Sequence, residues 1–147
     1  MTLFEKGLLW SLAVIAIVAI FAGPVKADEG FNPRIGWMPT SHHFFDRTNN
    51  EKHKGVILEF VKKDEYFGVT SYVNSNGDDS VWMYIGKDIK FNKYWYYGYQ
   101  YGLVTGYAIS PAPVVTGTVT VPHGEALSSR LTILPVVVGY NLLWEFN

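Results

Sequence analysis

The sequence predicts an all-β fold: a small antiparallel up-and-down transmembrane β-barrel of about eight strands, behind a cleaved N-terminal signal peptide. Three observations carry this expectation: a tyrosine-rich stretch over 93–107, an apolar N-terminal leader, and a regular succession of short alternating segments divided by turn residues. Side chains of a strand alternate between two faces. In 93–107 one face collects Trp95, Tyr97, Tyr99, Tyr101, Leu103 and Tyr107, and the other collects Gly98, Gln100, Gly102 and Gly106, with Tyr94, Tyr96 and Val104 as exceptions. Glycine makes a poor wetted surface and weakens a strand interior, so its four-residue spacing points to close approach of another group. A narrow barrel with aromatic residues outward and glycines toward the bore accounts for both faces. A soluble β-sandwich with an aromatic core is the competing reading.

The leader weighs for export. Lys6 precedes an apolar run over 8–21, and Val25-Lys26-Ala27 offers small residues for cleavage before Asp28. The run is shorter than the ~20 residues that span a bilayer comfortably, which favours a cleaved signal over an anchor helix. The chain therefore divides into a signal peptide, 1–27, and one barrel domain, 28–147. Nothing after Ala27 is long and apolar enough for a spanning helix, so a membrane crossing requires a closed barrel. The chain has no cysteine, which removes disulfides as the staple of a small exported domain. A net charge of -1 argues against a nucleic-acid partner.

The elements follow in order. Residues 28–33 form an extended leader. The first strand, 35–45, carries His42 and His43, with Pro39 demanding an edge, bulge or gap. The charged segment 46–54 reads as a solvated loop that includes His53. The second strand, 55–61, puts Val56, Leu58 and Phe60 opposite Gly55, Ile57 and Glu59; the charged 62–65 turn follows. The third strand, 66–73, leads into Asn74-Ser75-Asn76-Gly77, a strong hairpin signal. The fourth, 80–89, places Val81, Met83 and Ile85 opposite Trp82, Tyr84 and Gly86. The aromatic stretch is the fifth strand, ended by Pro111 and Pro113. The sixth, 114–121, alternates Val115, Gly117, Val119 and Val121 with Thr116, Thr118 and Thr120. The remainder, 131–140 with Pro135 inside it and 141–147, makes one bent strand or two, giving seven or eight in all. No helical periodicity of useful length follows Ala27.

Several landmarks in this order resemble the outer-membrane lipid A palmitoyltransferase family. They are a histidine late in the first strand (His42 or His43), the loop Arg47-Thr48-Asn49-Asn50-Glu51, a second strand opening on Gly55, the step Tyr72-Val73-Asn74-Ser75, a fifth strand spaced by Gly98, Gly102 and Gly106, and a proline-containing strand ending Val138-Gly139-Tyr140. Members of that family are eight-stranded barrels that move a palmitoyl chain from a phospholipid to lipid A. The resemblance implies location in the outer membrane of a Gram-negative bacterium, phospholipid and lipid A as partners, a monomer, and no cofactor. It departs at several points. The family's aspartate is Asn74 here, and an amide cannot serve as a carboxylate base. The family's amphipathic N-terminal helix has no counterpart of adequate length, and the last hairpin is shorter than the family's. The sequence finishes Trp144-Glu145-Phe146-Asn147, where such barrels usually finish on an aromatic residue.

Acyl transfer needs a nucleophile or activated acceptor, a base, and donors for the oxyanion. The resemblance places these roles on His42, His43, Asn74 and Ser75, all at one end of the expected barrel. The plainer reading of the same residues is two solvated histidines and a turn. Gly55, Gly68, Gly86, Gly98, Gln100, Gly102 and Gly106 are the candidates for an acyl-chain slot in the lumen; equally, small residues let a narrow barrel pack. Pro39, Pro111, Pro113 and Pro135 are candidates for lateral openings that admit a lipid, or simply end strands. No metal site is expected. Adjacent histidines on a strand point opposite ways, and His53 and His123 fall in separate loops. If the chemistry is absent, the chain is a non-catalytic outer-membrane barrel, bacterial or virus-encoded, with a structural, adhesion or envelope-modifying role.

Overall fold

The computed structural model describes residues 30–44 and 51–146. The expected signal peptide and the Arg47–Asn50 part of the loop lie outside the described residues. The described chain is all-β: β1 (Asn32–His43), β2 (Lys52–Lys62), β3 (Glu65–Val73), β4 (Asp79–Lys90), β5 (Tyr96–Val104), β6 (Ala112–Pro122), β7 (Leu127–Leu134) and β8 (Val137–Glu145). Each strand pairs antiparallel with the next, and β8 returns to β1, from Arg34↔Glu145 to His43↔Val137, to close the barrel. Closure leaves no free sheet edge of the kind that invites aggregation.

The eight-strand count resolves the ambiguity over 131–147. Pro135 cannot donate to a ladder, and the chain turns there, between Leu134 and Val137. The preceding strand starts earlier than expected, at Leu127, and draws in Arg130. The tyrosine strand is shorter than 93–107. At its start, the Asn92 side-chain carbonyl accepts from the backbone N–H of Tyr94 (2.7 Å) and Trp95 (3.1 Å), folding 92–95 into a turn. At its end the chain leaves the sheet at Gly106, whose φ of 87° favours glycine. Trp95, Gly106 and Tyr107 are therefore loop residues, not strand residues.

Within β5 the faces are as expected. Tyr97, Tyr99 and Tyr101 are 43–48 % exposed on the outside, while Gln100 is 2 % exposed inside. Across the barrel, Trp37, Val56, Ile85, Val115, Ile133 and Trp144 also point outward and are exposed. The inward set carries most of the buried polar groups.

That interior is filled at the end where the described chain begins and finishes. Glu59 (0 % exposed) sits between Arg130 (1 %) and Arg34, with ion-pair distances of 2.5 and 3.0 Å, and accepts from the Tyr84 hydroxyl at 2.8 Å. Arg130 also meets Asp88 (3.1 Å), and Arg34 meets Glu145 (2.8 Å). Tyr66 and Tyr84 lie across their register partners Gly86 and Gly68. A Cβ on Gly86 would come within 2.3 Å of the Tyr66 ring, and one on Gly68 within 2.4 Å of Tyr84. These glycines make room for rings, which corrects the expectation that they hold a slot open. Gly98 and Gly102 press on the neighbouring backbone, at 2.1 Å from Lys87 O and 1.9 Å from Met83 O for an added Cβ.

A further correction falls at β1 and β2. The register of β1 against β8 shifts between Trp37 and Thr40, at Pro39. Such a bulge puts two residues opposite one, and every side chain beyond it changes face. Inward positions are accordingly Arg34 and Gly36 before Pro39, and Ser41 and His43 after it. Strand β2 begins at Lys52, so His53 is not in a solvated loop but inside the barrel, in the inward series with Gly55, Ile57 and Glu59.

Candidate active site

The opposite end of the barrel is hollow. A cavity of about 430 Å³ opens there, within the roughly 300–1,000 Å³ usual for ligand pockets. Its wall is mainly apolar, with Met38, Val104, Val114, Leu134 and Val137 among the lining residues, and Trp82 lies at its base. The Trp82 ring packs on Tyr84 with centroids 4.4 Å apart and planes tilted by 40°, and Tyr84 bonds Glu59, so the two rings lie between the cavity and the ion cluster. Thr116 lines the cavity and donates to the Gln100 side-chain carbonyl at 3.1 Å. Among the described lining residues are none of Gly55, Gly68, Gly86, Gly98, Gln100, Gly102 or Gly106. The cavity is shaped by valines, threonines and Gly139 instead, which single-strand periodicity could not single out.

Two histidine–serine pairs face this cavity. His43 ends β1, and its Nε2 lies 2.9 Å from Ser75 Oγ, in the loop after β3. The backbone N–H of His43 donates to the Glu51 carboxylate at 3.1 Å. Ser41, two residues earlier and so on the same face, hydrogen-bonds His53 Nε2. The His53 Nδ1–H donates to the Val73 carbonyl at 2.5 Å. Ser41, His43, His53 and Ser75 all line the cavity.

Strand alternation puts the two adjacent histidines on opposite faces, and the bulge at Pro39 decides which of them enters the barrel. His42 points outward; its ring meets Phe44 edge-on at 5.6 Å and its Nδ1 lies 3.4 Å from Glu51, with the side chain 60 % exposed. His43 is therefore the histidine of the cavity, and His42 is placed outside it.

Asn74 is fully buried and braces the turn. Its carbonyl accepts from the backbone N–H of Asn76 (2.9 Å) and Asp78 (3.0 Å). Its amide donates to Ser80 Oγ (3.0 Å) and to the Gly106 carbonyl (2.7 Å). The brace requires both halves of an amide. Asn74→Asp replaces a donor by an acceptor facing a carbonyl, and is expected to destabilise the barrel by about 1–3 kcal/mol. A urea titration in detergent against the parent checks this; an unchanged midpoint would refute the turn-brace role.

The prolines occupy four settings. Pro39 makes the β1 bulge, Pro111 lies in the β5–β6 loop, Pro113 sits in β6 opposite Leu103, and Pro135 forms the β7–β8 turn. Strand β6 pairs with β5 from Ala112 onward, but its register with β7 starts only at Gly117. The 112–116 segment thus passes beyond the end of β7, and Ala112, Val114 and Thr116 of that segment line the cavity. The β6–β7 ladder is therefore unpaired between Pro113 and Pro135. Neither proline would have shown this alone, since the gap arises from unequal strand lengths.

No family model matches the chain, and no curated protein matches it with significant similarity. The residues that sequence reasoning overlooked are Ser41 and His53 in the cavity, and Arg34 and Arg130 beneath it. The inward parity of His53 with Glu59 was a usable signal. The cross-barrel partners were not visible.

Proposed function

We propose that the chain is an outer-membrane barrel of the lipid A palmitoyltransferase type, moving an acyl chain from a phospholipid to lipid A at the outer leaflet. The observation that carries this reading is the His43–Ser75 pair at the mouth of a mainly apolar cavity. An imidazole with a free lone pair is the general base that an acceptor hydroxyl needs, and an apolar bore suits an acyl chain. The apolar exterior supports the membrane setting, because soluble monomers rarely expose such surfaces on all sides. Aromatic side chains at the filled end, Phe91 stacked on Trp95 at 4.3 Å and the exposed Trp144 and Phe146, suit a headgroup boundary. Lipid would reach the cavity sideways, past the 112–116 segment of β6.

In this reading His43 Nε2 takes the proton of the acceptor hydroxyl through Ser75 Oγ, which lies 2.9 Å away. A second reading is favoured by Asn74, which is committed to bracing its turn and supplies no carboxylate: a non-catalytic small outer-membrane barrel, structural, adhesive or envelope-modifying. One experiment separates them. The full chain is refolded in detergent and incubated with a palmitoyl phospholipid and lipid A, and lipid A is weighed by mass spectrometry. Gain of one acyl chain supports the enzyme. No gain from protein that still shows heat-modifiable gel migration supports the inert barrel. A chain that stays monomeric in buffer without detergent refutes both.

A further inference from the structure

We infer that the cavity holds a second catalytic pair, Ser41 and His53, and that acyl transfer proceeds through an ester on Ser41 rather than by direct passage between lipids. This rests on the acyl-transfer reading above and adds a covalent nucleophile to it.

The two histidines of the cavity differ in how they are held. His43 Nδ1 is buried and meets no partner among the described residues. Nothing there fixes which of its nitrogens carries the proton. His53 is held at both. Its Nδ1–H is spent on the Val73 carbonyl, which leaves Nε2 as the lone-pair nitrogen, and that nitrogen receives the Ser41 hydroxyl. A nucleophile, a base, and a third group that orients the base are the parts of an activated serine. The orienting acceptor is usually a carboxylate; here it is a backbone carbonyl. Both side chains are buried, Ser41 at 7 % and His53 at 4 % exposure, yet both line the cavity, so the pair faces the acyl-chain space and not bulk water. Two local irregularities bring them there: the bulge at Pro39, which turns Ser41 inward, and Lys54 at φ 45°, where β2 leaves its register with β1.

The chemistry balances without a cofactor. Ser41 Oγ attacks the carbonyl carbon of a phospholipid ester while its proton passes to His53 Nε2. The tetrahedral intermediate collapses, the ester C–O bond breaks, and His53 returns the proton to the departing lysophospholipid oxygen. Ser41 is left as an ester. In the second half, an acceptor hydroxyl gives its proton to His43 Nε2 and attacks that ester. The bond between the acyl carbon and Ser41 Oγ breaks, and the proton that His43 took from the acceptor is passed on through His53 to Ser41 Oγ, so that both histidines end neutral. The hydroxyls of Tyr72 and Tyr107, 3.3 Å apart, line the same cavity and supply a donor for the oxyanion. Two histidine–serine pairs thus serve two half-reactions.

The test uses the full chain refolded in detergent, with folding of every variant checked by heat-modifiable migration. A fluorophosphonate probe is added and the labelled residue is located by peptide mass mapping. Labelling is expected at Ser41, lost in Ser41→Ala, slowed at least about tenfold in His53→Gln, and retained in Ser75→Ala. With a palmitoyl phospholipid and no acceptor, the intact mass is expected to rise by one palmitoyl group, removable by hydroxylamine, in the parent and in His43→Ala. Ser41→Ala loses only a hydroxyl, so its folding is not at issue. Labelling at Ser75, absence of labelling, or transfer to lipid A by Ser41→Ala at the parental rate overturns the proposal; in the last case the acyl-transfer reading survives alone. Labelling at Ser41 without acyl gain on lipid A supports the activated serine and refutes lipid A as acceptor.

Discussion

Glu59→Leu is expected to cost the barrel about 3–5 kcal/mol, the largest effect of any single change in its interior. Glu59 is completely buried and is shared by Arg34, Arg130 and the Tyr84 hydroxyl. Removing it leaves two guanidinium groups facing each other in a low-dielectric space, and the loss of one partner from a buried pair carries a penalty of that size. Asp88 and Glu145 stay in contact with the arginines and hold the penalty within this range. The urea midpoint in detergent should fall accordingly, with Tyr84 freed to move under Trp82 and the cavity base loosened. Replacing Arg34 and Arg130 by methionine and Asp88 by leucine in the same chain should recover most of the loss, because apolar groups of similar volume substitute for a whole buried ion cluster at little net cost. A midpoint unchanged in Glu59→Leu would show that the cluster does not stabilise the fold.

His43→Ala is expected to lower acyl transfer to lipid A by roughly 10²–10⁴-fold, the usual contribution of a positioned general base, with stability close to that of the parent. Removal of the outward neighbour, His42→Ala, should leave the rate within about a factor of two, since surface changes away from a site are nearly silent. The pair is the informative comparison. The two residues are adjacent in sequence and differ only in the face they occupy. Equal losses in both would mean that the end of β1 does not hold the register described, and the assignment of His43 to the cavity would fail with it. Initial rates of lipid A acylation by the refolded variants decide the matter.

Much of the fold was legible because strand periodicity is local. Tyr97, Tyr99 and Tyr101 outward with Gln100 inward needs only the alternation of one strand, as does Val115 outward with Thr116 inward. Turn chemistry at Asn76-Gly77 likewise acts over a few residues. The candidate site was legible in part. Ser75 and one of two histidines could be named, and the step at Asn74 marked the right turn, although its amide is taken up in bracing it. Gly68 and Gly86 were visible as small lumen residues, but not that tyrosines on the neighbouring strand would fill the space they leave. Arg130 was invisible because its partners Glu59 and Asp88 lie on β2 and β4, far away in sequence.

The amino-acid order by itself determined the fold class and the inward or outward face of most strand residues, because a period of two is written into each strand and needs no partner. Closure of the barrel decided the rest. Which of two neighbouring histidines enters the cavity, and that Ser41 and His53 meet there, depends on a one-residue slip at Pro39. The cost of that slip is shared by β2 and β8, so only the assembled sheet could choose it.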